Sequence, residues 1–247
     1  MSTYKGQSVG TFGHFGCFSF HYTKNIICGE GGALCINRNA EKAAKAMVMW
    51  EKGTNRYDFI MGKIDKYEWI DLGSSFVPNE LSCAILLAQL ESAQTITSRR
   101  ICHYERYLKG LQELSDTGKI RIPSIPSHCQ HNAHIFYIIL PSKEILKHYQ
   151  NELKSKGISA FTHYIPLHSA PAGLKYGRVS HSKRQGEEIL PREESLNSSL
   201  VVTDEIHHTL LRLPVWIEMT TVEVDFVIEA IKQIASSYNI SINNNSL

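Results

Sequence analysis

The sequence lacks a marked excess of charge of either sign. Its 247 residues include 26 Lys and Arg against 24 Asp and Glu, which gives a formal net charge of +2 with His neutral. Proteins that bind nucleic acid through its phosphates usually carry a clustered basic excess, so this balance argues against that class. Because 43% of the residues are hydrophobic, we expect one large globular domain or two smaller ones rather than a disordered chain.

Long hydrophobic runs and export signals are also missing. The longest apolar runs, such as Ile135–Leu140, fall far short of the ~20 residues that a membrane-spanning helix needs. The first residues contain neither the charged nor the apolar segment of a secretory signal peptide. The six cysteines include no Cys-x-x-Cys pair. We therefore expect reduced thiols in a cytoplasmic protein that has no membrane partner.

The first half of the chain is predicted to contain two strands followed by helices. A Gly- and Phe-rich stretch over residues 10–20 is extended, and residues 33–36 form a second apolar strand after a glycine-rich turn. Asn39 stands at an N-cap position, and Gly53 stands where the C′ residue of that helix is expected. Apolar residues then recur every three to four positions over residues 79–114, which predicts one long helix or a kinked pair.

The second half alternates short strands with helices, which is typical of a small α/β unit. Strands are expected over residues 133–140, 158–161 and 211–216. Ser142 is expected to cap one helix, and the capping box Thr220-x-x-Glu223 is expected to open another. A loop with Pro123 and Pro126 precedes this half, so we place a domain boundary near residue 118.

The strongest candidate for chemistry is a lysine that follows the first apolar strand. Lys24 lies in the string Ser19-Phe20-His21-Tyr22-Thr23-Lys24-Asn25, shortly before Gly29-Glu30-Gly31-Gly32. A Lys whose ammonium is partly desolvated can form a Schiff base, and Ser19 can donate a hydrogen bond to a phosphate oxygen. Taken alone, however, a Lys beside a glycine turn is more often an ordinary solvated loop residue.

The complete string S-F-H-x-x-K-N followed by G-E-G-G resembles the active-site segment of the DegT/DnrJ/EryC1/StrS family of PLP-dependent sugar aminotransferases. Other segments agree, among them Glu51-Lys52-Gly53-Thr54-Asn55-Arg56, Asp71-Leu72-Gly73-Ser74-Ser75-Phe76 and His163-Tyr164-Ile165-Pro166-Leu167-His168. The resemblance covers nearly the whole chain and implies the α/β fold of type I PLP-dependent transferases. Residues 1–117 would form the C-terminal portion of the PLP-binding large domain, residues 118–236 the small C-terminal α/β domain, and residues 237–247 a disordered tail.

The resemblance also implies roles for individual residues. Lys24 would carry PLP and move the proton between the cofactor and the amino-bearing carbon, while Ser19 would contact the PLP phosphate. Ser75 stands where many relatives place an Asn that reaches the phosphate in a neighbouring subunit, which implies a homodimer. His163 and His168 match a stretch that approaches the sugar nucleotide. The dehydratase branch of the family has a His in place of the Lys, so Lys24 favours amino transfer.

The implied reaction transfers an amino group from L-glutamate to C4 of dTDP-4-dehydro-6-deoxy-D-glucose, with a perosamine-type 4-amino sugar as the alternative product. The resemblance starts at Met1 within the cofactor domain. It therefore places a phosphate-binding loop, an aromatic that stacks on the pyridine ring and an acidic partner of the ring nitrogen upstream of Met1. We expect an N-terminally truncated aminotransferase. The alternative is a non-catalytic remnant or interaction module that keeps the dimer surface and cannot hold PLP.

Other polar and aromatic clusters predict less. One group of possible metal ligands lies close together in the sequence: His128, Cys129, His131 and His134. No second ligand pair has the spacing of a zinc site, so no metal is expected. Tyr104 and Tyr107 fit core positions of a helix better than a stacking platform for a ligand.

Overall fold

The computed structural model describes residues 1–177 and 200–237, which fold into two compact units. Unit 1 comprises residues 1–101 and 125–134, and unit 2 comprises residues 102–124 together with the described residues from 135 onward. The division into family domains at residue 118 stays a prediction. Beyond Ser237, the tail that was expected to be disordered lies outside the described residues.

Unit 1 contains two small antiparallel sheets. Strands β3 (Phe15–Ser19) and β4 (Gly32–Ile36) pair along their whole length, with Ser19 opposite Gly32. Strand β1 (Thr3–Tyr4) pairs on one side with β2 (Gln7–Ser8) and on the other with β5 (Cys129–Gln130). The strands predicted within residues 10–20 and at residues 33–36 are therefore present, and the loop that carries Lys24 connects them.

Asn39 is the predicted N-cap of the first helix in unit 1, and Asn79, where the predicted apolar repeat starts, caps another. Helix α1 (Ala40–Trp50) starts after Asn39, whose side chain accepts from the N–H of Lys42 at 2.8 Å. A short α2 (Arg56–Ile60) follows. Helix α3 (Glu80–Glu91) starts after Asn79, and Ser92 alone separates it from α4 (Ala93–Asp116), which continues into unit 2. Of the two predicted alternatives for residues 79–114, one long helix or a pair, the structure therefore contains the pair.

The end of α1 corrects a prediction by one residue. The first left-handed residue after the helix is Lys52 with φ 64°, and Gly53 with φ +79° comes second. The N–H of Gly53 donates to the carbonyl of Val48 at 2.8 Å, which is the longer hydrogen bond of a Schellman motif. A lysine thus occupies the C′ position at a conformational cost, and the glycine occupies C″.

Unit 2 is a three-stranded antiparallel sheet with helices. The strand order is β6 (Phe136–Ile139), β8 (Leu210–Leu213) and β7 (Phe161–Thr162). Besides the end of α4, its helices are α5 (Lys143–Ser155), α6 (Pro171–Tyr176), α7 (Val201–Thr209) and α8 (Thr221–Ser236). Ser142 caps α5, and Thr220 and Glu223 form the predicted capping box of α8. Strand β7 starts at the last residue of the segment predicted for it.

The core of unit 2 is built around Phe136, which is fully buried in β6. The ring of Tyr107 stacks on it at 4.9 Å between centroids, and Tyr104 meets it edge-on at the same distance. The hydroxyl of Tyr107 donates to the carbonyl of Pro214 at 3.0 Å. Burial raises the pKa of Tyr104 to about 12. The core positions predicted for both tyrosines are confirmed.

The described part of unit 1 buries much less. Helices α1, α2 and α3 contain no buried residue in the described structure. In α3 the side chains of Leu81 and Leu87 are 79% and 59% exposed. Within residues 1–177 and 200–237, no helix has both the length and the apolar character needed to cross a lipid bilayer.

Candidate active site

The loop that carries Lys24 is closed by main-chain hydrogen bonds near its base. Phe20 donates to the carbonyl of Gly31 at 2.8 Å, and Cys28 donates to that of Phe20 at 2.8 Å. Farther along, the N–H of Lys24 donates to the carbonyl of His21 at 2.9 Å, which makes a tight turn. The side chain of Lys24 therefore leaves an anchored main chain and is exposed to solvent.

The glycines of this loop are required by local packing. Gly29 has φ +87°, a conformation that side chains disfavour. A Cβ atom on Gly31 would lie 2.5 Å from Sγ of buried Cys28, and one on Gly32 would lie 2.8 Å from the carbonyl oxygen of Phe18. The glycine-rich string can therefore be explained by the return of the chain into β4, whether or not a ligand binds there.

Ser19 lies at the end of β3 with its hydroxyl exposed. Its Oγ accepts from the N–H of His21 at 3.4 Å, so this contact leaves the hydroxyl hydrogen available to an acceptor such as a phosphate oxygen. The ring of His21 lies between two further polar groups, 2.8 Å from Oγ1 of Thr23 and 3.4 Å from a carboxylate oxygen of Glu30. The loop thus holds several hydrogen-bonding groups close to Lys24 in sequence.

Ser75 is held against the end of α1 by main-chain contacts. It forms a β-bridge with Glu51, while the N–H of Lys52 donates to the carbonyl of Ser74 at 3.2 Å. A Cβ atom on Gly53 would lie only 1.9 Å from the carbonyl oxygen of Asp71, so the two segments touch through their backbones. Among the described residues, no hydrogen bond joins Ser75 to Lys24 or Ser19.

An ion pair between buried Glu51 and exposed Arg56, next to Ser75, was not predicted from the sequence. Glu51 is only 4% exposed, and its Oε1 accepts from the guanidinium of Arg56 at 3.0 Å. The ammonium of Lys52 lies 3.9 Å from the other oxygen. The string Glu51-Lys52-Gly53-Thr54-Asn55-Arg56 carried the family resemblance, yet only the folded chain shows that its first and last residues pair.

Asn25, the residue after Lys24, contacts a distant turn. Its side-chain amide donates to the carbonyl of Asn132 at 2.6 Å, and its Oδ1 lies 2.9 Å from Nδ1 of His134. Buried Arg100 donates to the carbonyls of Ala133 and His134 at 3.1 and 2.8 Å. Sequence reasoning weighed His134 as a zinc ligand and as part of a string that resembles the family, but did not pair it with Asn25. The signal that could have found this contact is the asparagine directly after the lysine.

His163 and His168 lie in unit 2, whereas Lys24, Ser19 and Ser75 lie in unit 1. His163 follows β7, and burial together with the charge of Arg212 lowers its pKa. Nε2 of His168 lies 3.0 Å from a carboxylate oxygen of Asp204 in α7, which ties this segment to the helix. The described part of the chain contains no group of three possible metal ligands.

The described residues fit one end of a PLP molecule. Lys24 offers an exposed primary amine for the cofactor aldehyde, and Ser19, the last residue of β3 before the loop that carries Lys24, is exposed and offers a hydroxyl for the phosphate. Both group types match the chemistry that PLP requires.

A sequence model of the DegT/DnrJ/EryC1/StrS aminotransferase family matches residues 1–232. An uncharacterised protein of Methanocaldococcus jannaschii, MJ1066, is 28% identical over 239 residues, which are 94% of this chain and 57% of that protein. The aminotransferase TlmJ of Streptoalloteichus hindustanus superimposes with a TM-score of 0.76 at 23% identity, covering 96% of this chain and 56% of TlmJ. PseC of Helicobacter pylori, an aminotransferase involved in the biosynthesis of pseudoaminic acid, gives a TM-score of 0.77 at 21% identity over 96% of this chain and 57% of PseC.

The chain thus spans little more than half the length of the relatives it matches. The likeness to the solved structures confirms the predicted α/β fold of type I PLP-dependent transferases. Aminotransferases of this family use PLP. Because the family match extends over nearly all of the sequence, the chain belongs to the DegT/DnrJ/EryC1/StrS aminotransferase family.

Proposed function

We propose that this chain is the C-terminal part of a PLP-dependent sugar-nucleotide aminotransferase in which Lys24 is the catalytic base. The observation that carries the proposal is an exposed lysine on the loop between β3 and β4, in a chain of this family. PLP, when bound, supplies an electron sink for the amino-bearing carbon. Lys24 holds the cofactor through its Nζ and carries the proton to and from that carbon.

The other candidate residues bind and orient the cofactor and the sugar nucleotide. The hydroxyl of Ser19 donates to the phosphate of PLP, and Ser75 reaches the phosphate in the partner of a homodimer. His163 and His168 contact the sugar nucleotide. Partial burial and the charge of Arg212 lower the pKa of His163, which favours the neutral ring, and a neutral imidazole can both donate and accept a hydrogen bond with a sugar hydroxyl. We place the protein in the cytoplasm.

The proposed amino donor is L-glutamate, and the acceptor is dTDP-4-dehydro-6-deoxy-D-glucose. The product is dTDP-4-amino-4,6-dideoxy-D-galactose, as for transaminases of the WecE type. The supporting feature is the resemblance of several strings, above all the one from Asp71 to Phe76, where Ser75 replaces the Asn found in many relatives. A perosamine-type 4-amino sugar is the alternative product of the same chemistry.

A second candidate function is a non-catalytic remnant or interaction module. The observation that favours it is the exposed apolar surface of unit 1, where α3 buries no residue in the described structure. A chain of this kind would fold unit 2 and present unit 1 to a partner without binding PLP productively. The two candidates therefore differ in one measurable property, the covalent capture of PLP by Lys24.

The test is to mix the purified chain with PLP, follow the absorbance of lysine-linked cofactor, reduce with borohydride and map the modified peptide. We expect the label on Lys24 and its loss in Lys24→Ala. Lys66→Ala is the matched control, because Lys66 is another exposed lysine of unit 1. A wild-type chain that captures no PLP at Lys24 contradicts the proposal for this chain and favours the remnant.

A further inference from the structure

We infer that Asn25 and His134 are positioning residues that hold the main chain at Lys24 by tying its neighbour, Asn25, to a chain segment that several hydrogen bonds fix in place. We call residues 131–134 the anchor turn. The catalytic consequence of this inference rests on the proposed function of Lys24. The contacts themselves lie entirely within unit 1.

The anchor turn is fixed from the inside by Arg100. This residue of α4 is 7% exposed, and its guanidinium donates to two consecutive carbonyls, those of Ala133 and His134. Ala133 itself has φ 49°, a left-handed conformation that a residue other than glycine keeps only when its surroundings enforce it. Its N–H also donates to Nδ1 of His131 at 3.2 Å. The turn is therefore determined by several independent contacts.

The orientation of the Asn25 amide follows from the carbonyl that it faces. Nδ2 lies 2.6 Å from the carbonyl oxygen of Asn132, and an amide flipped by half a turn would bring two acceptor oxygens together. Oδ1 consequently faces His134, and Nδ1 of that ring must donate the hydrogen at 2.9 Å. The amide is held at both ends by a turn more than a hundred residues away in sequence.

The consequence for Lys24 is that its main chain is restrained on both sides. The N–H of Lys24 donates to the carbonyl of His21 on one side. On the other side, the side chain of the next residue, Asn25, is hydrogen-bonded to Asn132. The flexible stem of the side chain then starts from a defined point. Such restraint matters for proton transfer, because small errors in the position of a catalytic group cost large factors in rate.

The first measurement follows amide hydrogen exchange in the full chain and needs no cofactor. We expect exchange of residues 22–25 to accelerate about tenfold in Asn25→Ala, since roughly one hydrogen bond's worth of local stability is lost. Asn37→Ala is the matched control, because its amide also donates to backbone carbonyls of unit 1, those of Gly13 and Gly10 at 2.7 and 3.3 Å. Equal exchange of residues 22–25 in Asn25→Ala and wild type overturns the inference.

The second measurement asks whether the contact acts on Lys24 itself. We expect the induced circular dichroism per captured PLP to fall severalfold in Asn25→Ala and His134→Ala. His134→Asn should restore it, because the amide nitrogen of Asn takes the place of the Nδ1 donor. Failure of this rescue, or an unchanged signal in Asn25→Ala, contradicts a positioning role. If wild type captures no PLP, the proposed function fails, and the exchange measurement alone decides whether the Asn25 contact restrains the loop.

Discussion

Helices α3 and α8 are both rich in apolar residues, yet they differ completely in burial. Helix α8 in unit 2 buries an apolar face comprising Val224, Val227, Ile228, Ala230, Ile231, Ile234 and Ala235. Helix α3 in unit 1 buries none of its residues in the described structure. The apolar content of a helix therefore does not by itself show that the helix is buried against other elements of the same chain.

The same contrast holds for the two units as a whole. Unit 2 has a core around fully buried Phe136, whereas helices α1, α2 and α3 of unit 1 bury no residue in the described structure. Both units also expose large apolar side chains, such as Leu72 at 77% in unit 1 and Leu167 at 84% in unit 2. Exposed apolar area of this kind is unusual in a protein that works as a monomer. The buried apolar side chains are therefore concentrated in unit 2, whereas unit 1 combines a few of them with specific polar contacts such as those of Arg100.

The largest effect on stability is expected from a substitution in the core of unit 2. Leu211→Ala removes a fully buried side chain of β8 and should lower the free energy of unfolding by about 2–5 kcal/mol. Leu81→Ala removes the same atoms from the exposed face of α3 and should change it by less than about 0.5 kcal/mol. Urea unfolding of both variants measures the difference. Similar losses would show that α3 is packed in solution.

A smaller effect is expected at the polar anchor of unit 1. Arg100→Ala leaves the carbonyls of Ala133 and His134 without their donor, which should cost about 1–3 kcal/mol in the local stability of unit 1. Arg99→Ala, at the exposed neighbouring position of the same helix, is the control and should be near neutral. Hydrogen exchange resolved by peptide checks both. Loss of protection confined to unit 2 would contradict this view of unit 1.

The smallest effect concerns pH and the start of α8. Hydrogen bonds from the backbone and side chain of Thr220 hold the pKa of Glu223 below its usual 4.5. The folded-state pKa is depressed, so the contribution is present above pH 4.5 and is lost as pH falls through the folded value. Protection of the amides at residues 221–224, measured relative to their intrinsic exchange rate at each pH, should fall in that range. Glu223→Gln should flatten this dependence, and an unchanged pH profile in that variant would refute it.

Local elements of the fold could be predicted because their causes are local. Asn39, Asn79 and Ser142 each accept a hydrogen bond from an N–H three residues on, as an N-cap does. The prediction for the end of α1 was wrong by one residue, because left-handed Lys52 precedes Gly53 and occupies the C′ position. The residue letters favour glycine at C′, and contacts of Lys52 and Gly53 with residues 71–74 override that preference.

The surroundings of the candidate site could be predicted only in part. Lys24 and Ser19 stand in one contiguous string, so the sequence alone places them close together at the end of one strand, and their roles stay predictions. The Asn25 contact to the anchor turn and the burial of Arg100 were missed. His134 was weighed as a metal ligand because His128, Cys129 and His131 lie near it in sequence, whereas its partner in space is Asn25.

The sequence by itself determined the family, the helix caps, most strands and the lysine on which the chemistry would depend. Each of these rests on residues that are neighbours along the chain. Only the tertiary structure decided which apolar helix is buried, that Arg100 is buried, and that Asn25 forms hydrogen bonds with residues 131–134. Those outcomes depend on groups separated by many residues, such as Arg100 and Ala133, and their hydrogen bonds exist only once folding has brought them together.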